Sequence, residues 1–269
     1  MSEQNDASIA TEDQPFPSIQ EIGLAAPLRW IGRGFADLRA CPIPSLFYGF
    51  CFAGMGLLVT FVFEHAYEYT AALTSGFLLL GPFLAMGLYE ISRRREAGLV
   101  CALTPTLTVW TRNASNIGIF AVVLGVVFLV WARASLVVFA LFYTDELPNL
   151  TGFINQIATL DNVEFLLVYF CVGLLFASIV FAASVISVPL MLDRNQDAIS
   201  SMLASIGALA RNPVPLALWA CLIVTLTLLG FLSFHLGLVV VMPVIGHASW
   251  HAYRDLVVPL AGNVGSPPR

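Results

Sequence analysis

Six apolar runs of about 20 residues constrain this chain more than any motif, because a run of that length crosses the hydrocarbon core of a bilayer as a helix. They lie at roughly 44–64, 70–92, 116–142, 163–192, 214–233 and 235–256, and the last two meet at Ser233-Phe234-His235, a tight hairpin. The chain is 58% hydrophobic and 11% charged, against about 25% charged in a soluble globular chain. The expected class is an all-α integral membrane protein with six transmembrane helices, its first partner being the lipid bilayer.

The arginines set the orientation. All 12 basic residues are arginine. Arg29, Arg33 and Arg39 precede the first run; Arg93, Arg94, Arg95 and Arg112 lie between the second and third; Arg194 and Arg211 lie between the fourth and fifth; Arg254 and Arg269 follow the sixth. The alternate connectors, 65–69 and 143–162, carry Asp145, Glu146 and Asp161 and no arginine. Positive charge stays on the cytoplasmic side, so both termini are expected there. With a net charge of −5 and no basic patch, nothing points to nucleic acid. Residues 1–24 are acidic and lack the basic and apolar regions of a signal peptide. They read as a disordered tail, followed by a membrane domain over 25–258 and a second disordered tail over 259–269.

A repeat is visible. Residues 95–120 align with 194–219 at a constant offset, pairing Arg95 with Arg194, Leu99 with Ala198, Arg112 with Arg211 and Asn113 with Asn212. Each segment has apolar residues at a spacing of three to four, then Arg-Asn, then a span. That pattern predicts an amphipathic helix along the cytoplasmic interface that turns into the membrane. Residues 28–50 fit more loosely, which gives three units of interfacial helix plus two spans. Runs two and six also correspond: Gly76 and Pro82 match Gly237 and Pro243, and Glu90 and Arg93 match His251 and Arg254. Gly54, Gly56, Gly125, Gly173, Ala177, Ala182 and Ala183 would permit close helix approach. The five cysteines show no CxxC pair and read as small buried hydrophobes.

"GFLLLGPFLAMGLYEISRRRE", "SVISVPLMLDRN" and "PVIGHASWHAYRDLV" resemble a bacterial family of predicted integral membrane proteins, domain of unknown function 2189. The resemblance covers about residues 25–258. It implies six spans and an inner-membrane location, and it carries no activity, ligand or catalytic residue.

Ionisable residues inside spans are costly and define the candidate sites. His247, His251 and Arg254 share one helical face near the cytoplasmic end of run six, and Glu90 and Arg93 lie on a similar face of run two. A contact of Glu90 with His251 or Arg254 would lock the two spans; a proton- or ligand-binding site is the functional alternative. Arg133 lies about 16 residues into run three, roughly 24 Å along a helix, beyond the midplane. It either snorkels outward or meets Glu164, Glu64 or Asp145. Metal or haem ligation by the histidines lacks further ligands at suitable spacing, so no cofactor or metal is expected. No catalytic constellation appears. The leading expectation is a non-enzymatic accessory, assembly or scaffold protein for another integral membrane complex, a respiratory one among the candidates. A small-solute or lipid transporter comes second, and a haem- or metal-binding subunit third.

Overall fold

The computed structural model describes residues 17–65, 70–143 and 162–258. The first helix, α1 (Ala26–Ala40), begins with Pro27 in its opening turn, where a missing N–H costs nothing. Ala26, Trp30, Gly34, Asp37 and Cys41 are buried at intervals of three or four residues, while Arg29, Arg33, Arg39, Leu28 and Phe35 are exposed. A charged face that also exposes leucine and phenylalanine suits the bilayer interface.

There follow α2 (Pro42–His65), α3 (Thr70–Glu96), the short α4 (Thr104–Leu107), a 3-10 turn (Val109–Asn113) and α5 (Ala114–Phe142). Then come α6 (Val163–Ser184), α7 (Ser187–Arg194), α8 (Ala198–Arg211), α9 (Pro213–Leu232) and α10 (Leu238–Leu256). Among the described residues, four stretches are long and apolar enough to cross a membrane: Pro42–Val62, Val109–Phe142, Val163–Arg194 and Pro213–Leu232. The expected sixth span, α10, is outside that set; the expected second, α3, lies partly outside the described residues, only 81–96 having described side chains. α10 carries His247, His251, Arg254 and Asp255 in its second half, which lowers its hydropathy. α10 can afford this because it packs against α1, α2, α3 and α9, with residues 243–253 buried among protein neighbours.

Of the glycines singled out above, Gly56 stands close to His235 and to Leu238 of α10, and Gly49 joins it. A Cβ at Gly49 of α2 would stand 2.0 Å from the Val239 carbonyl oxygen, whereas Gly54, Gly125 and Gly173 face open space.

The two aligned segments differ in form. α8 is a full helix whose N-terminus is capped by Asp197, accepting from the Ser200 N–H. Its counterpart is only α4 and the 3-10 turn. Gly98, at φ +66°, ends α3, and Pro105 with four nearby threonines disfavours a long helix; Thr106 and Thr111 donate to the Leu103 and Thr108 carbonyls instead. The paired asparagines still do similar work. Asn113 donates to the Met191 and Gln196 carbonyls, and Asn212 donates to Gln20 and Ala208 while accepting from the Ile22 N–H.

The N-terminal segment meets the C-terminal one: Val258 N–H donates to Ser18 and Gln20 N–H to Leu256, around an antiparallel bridge of Ile19 with Val257. Residues 17–24 of the expected tail are therefore paired. Residues 1–16 and 259–269, and Asp145 within 144–161, lie outside the described residues. Cys41 and Cys101 form a disulfide, which corrects their reading as isolated hydrophobes; the partners are 60 residues apart, so no local spacing could reveal the pair.

Candidate functional site: a buried polar network at the arginine-rich end

Helical spacing puts His247 and His251 on the same face of α10, one turn apart, and the surrounding helices supply their partners. His247 is fully buried. Its Nε2 is 2.9 Å from Ser45 Oγ of α2 and its Nδ1 is 2.8 Å from Ser92 Oγ of α3. Ser45 donates to the Cys41 carbonyl at 2.7 Å. Ser92 donates to Asp37 Oδ2 of α1 at 2.5 Å, and His251 Nε2 donates to the same oxygen at 3.0 Å. Arg95 donates to Asp37 Oδ1. His251 Nδ1 faces Glu96 Oε1 at 3.6 Å.

Asp37 is only 1% exposed. Burial by itself raises its pKa. The hydrogen bonds from His251 and Ser92 and the positive charge of the histidines outweigh that, and the carboxyl stands at about 2, below its usual 3.8. A carboxyl held down in the folded state contributes stability that is complete above its unfolded pKa and is lost as pH falls through the folded value. Stability should therefore fall between pH 4 and pH 2 by about 2 kcal/mol more in the wild type than in Asp37→Asn. Unfolding midpoints of the two proteins across that range check this; parallel curves would remove Asp37 as the source.

Two further clusters adjoin this one. Glu90 receives paired bonds from Arg93 (2.7 and 2.8 Å) and Arg112 (2.9 and 3.1 Å), with Arg94 at 3.8 Å. This double bidentate clamp is the strongest kind of carboxylate recognition. Arg254 bridges Glu96 at 3.3 Å and Asp193 at 3.7 Å, and Tyr253 donates to Asp193 at 2.6 Å. Asp255 accepts from Trp30 at 2.9 Å and Arg33 at 2.8 Å.

The structure gives Glu90, His251 and Arg254 different partners from those expected. Leu88 lies against Gly246 of α10, and with Ser92 and Arg95 it forms the face that α3 turns toward α10. Glu90, two residues on from Leu88, is about 200° around the helix and meets the 3-10 turn. His247 and His251 use both ring nitrogens on protein groups. Among the described residues no cluster of histidine, cysteine and acidic side chains could hold a metal. Ser45 and His247 form a hydroxyl–imidazole pair, but Ser45 is fully buried and its hydrogen is directed to a carbonyl. Arg133 and Glu164 are exposed on α5 and α6, and the ion pairs of the described residues involve neither. Glu64 has no described side chain.

Sequence reasoning missed Asp37, Ser45, Ser92, Arg95 and Glu96. For Asp37 a signal was present: it occupies the apolar stripe Ala26, Trp30, Gly34, Asp37, Cys41, where a carboxylate needs partners.

A helical chain with long apolar helices, and with its ion pairs gathered at one end, is an integral membrane protein. Residues 70–193 match the family described as Predicted integral membrane protein (DUF2189). The matched stretch runs from α3 into α7 and holds Glu90, Ser92, Arg95 and Asp193; Asp37, His247 and His251 lie outside it. No curated protein and no solved structure matches the chain.

Proposed function

We propose that this is a six-span protein of a bacterial inner membrane, built from three repeated units, with both termini cytoplasmic. It has no catalytic activity of its own and acts as an accessory, assembly or scaffold partner of another membrane complex. One observation carries the partner role. The buried polar side chains at the arginine-rich end, Trp250 Nε1 excepted, satisfy one another, whereas α5 and α6 each expose a broad apolar face. Val122, Leu129, Val137 and Leu141 of α5 and Leu167, Phe170 and Leu174 of α6 are each more than half exposed. Such helices suit lipid or a neighbouring helix equally. The paired terminal segments and the shared end of the arginines support the common side of the termini.

Native mass spectrometry of the full-length tagged protein, extracted from its own membranes in mild detergent, tests the partner role. The expected result is a stoichiometric complex with a second membrane protein that dissociates on Gly173→Leu in α6. A homogeneous monomer would overturn it. Transport of a small solute or lipid is the second reading. It is favoured by a cavity of about 350 Å³ between α2, α9 and α10, lined by Phe52, Met55, Thr60, Phe231 and His235. Solute flux in proteoliposomes that stops when Thr60→Phe fills this cavity would favour it.

A further inference from the structure

A line of polar atoms runs through the buried network: Cys41 O, Ser45 Oγ, the two ring nitrogens of His247, Ser92 Oγ and Asp37 Oδ2. It contains four contacts, of 2.7, 2.9, 2.8 and 2.5 Å. Each contact needs one hydrogen between its two heavy atoms. The two hydroxyls supply one each and a neutral imidazole supplies a third. With Asp37 ionised and His247 neutral, the line is one hydrogen short.

We propose that His247, Ser92 and Asp37 form a buried binding site for one proton, filled from water at the arginine-rich surface through Glu96 and His251. The proton completes the fourth contact in either of two forms. In one, His247 is an imidazolium whose Nδ1–H donates to Ser92 while Ser92 donates to the Asp37 carboxylate. In the other, Asp37 carries the proton and donates to Ser92, which donates to a neutral His247. The two differ only by the shift of two hydrogens along Ser92, and no charge leaves the site. When the proton departs, one rotation repairs the line: the Ser45 hydroxyl turns from the Cys41 carbonyl to His247 Nε2. The Cys41 carbonyl keeps the Ser45 N–H at 3.3 Å.

The groups facing the site come from every helix packed on it. α1 brings Asp37 and α2 brings Ser45. α3 brings Ser92, Arg95 and Glu96, and α10 brings His247, His251 and Arg254. Arg95, His251 and Arg254 bring positive charge beside His247, and Asp37 and Glu96 bring negative charge. The entrance is Glu96, whose side chain is 34% exposed against 9% for His251. A proton accepted by His251 Nδ1 releases one from Nε2 to Asp37 Oδ2, so the imidazole passes charge inward without moving. This proposal does not rest on the accessory role.

The test uses the full-length protein, labelled with 15N-histidine, in phospholipid nanodiscs between pH 4 and 9. Only four histidines contribute signals. His247 is expected to have both ring nitrogens protonated at the acid end and to retain only Nδ1–H at the basic end, the form that still donates to Ser92. Ser92→Ala should weaken its proton affinity at least tenfold, and Ser92→Thr, which keeps the hydroxyl, should restore it. Glu96→Gln should slow exchange of the ring hydrogens with water. A His247 that stays in one neutral form throughout, or titrates alike in the wild type and Ser92→Ala, would overturn the site. Unchanged exchange in Glu96→Gln would overturn the route.

Discussion

Asp37→Ala is expected to lower the unfolding free energy by about 3–5 kcal/mol, the cost of removing one partner from a buried charged pair. The carboxylate accepts from Ser92, His251 and Arg95 at once. Arg95 can turn toward water, since 40% of its side chain is exposed. The histidine and the serine cannot. Ser92 is fully buried and His251 is 7% exposed, so their donors lose the Asp37 acceptor with no water to replace it. Glu90→Ala is the comparison. Its clamp draws on Arg93 and Arg112, whose side chains are 30% and 43% exposed, so the orphaned guanidinium groups can rehydrate and the loss should be smaller. Detergent-induced unfolding of both variants from bicelles gives the ranking. Equal losses, or a loss below about 1 kcal/mol for Asp37→Ala, would mean that burial of the partners is not what makes the network costly to break.

The same contrast explains what could be read from the sequence. The long apolar runs over α2, α5, α6 with α7, and α9 were legible because lipid imposes one demand on a whole helix, continuous hydrophobicity. α10 answers to protein neighbours as well, so its apolar stretch stops at His247. The polar residues of run six were legible as unusual, because ionisable groups beside a span are expensive. Their partners were not. Pairing run six with run two by analogy placed Glu90 opposite His251. Which face α3 turns to α10 is instead set by the packing of Leu88 against Gly246, and a sequence-local period does not encode that choice. Asp37 escaped notice because its helix reads as interfacial, where a carboxylate is ordinary. Only the burial of the stripe from Ala26 to Cys41 makes it exceptional. The aligned segments 95–120 and 194–219 show the same limit. Asn113 and Asn212 both hold a connector to foreign backbone, yet Pro105 and the threonines prevent the first segment from forming the helix that alanine and leucine give to α8.

The position most sensitive to a single added methyl should be Gly49. Its Cβ would lie 2.0 Å from the Val239 carbonyl oxygen and 2.8 Å from the carbonyl carbon, and neither atom belongs to a side chain that can rotate away. Gly49→Ala must therefore separate α2 from α10, a shift that overpacked cores accommodate at about 1–3 kcal/mol and sometimes more. The separation has a second consequence. Ser45 is one turn from Gly49 on the same face of α2, and it reaches His247 at 2.9 Å, so moving the helices apart stretches that bond beyond useful length. The variant should lower the unfolding midpoint and also change the 15N signals of His247, as no peripheral substitution would. Gly54→Ala on the same helix, where nothing lies within 4 Å of the new methyl, should leave both readouts at the wild-type value. A Gly49→Ala protein as stable as Gly54→Ala would place the α2–α10 contact elsewhere, and with it the joint on which the polar network is built.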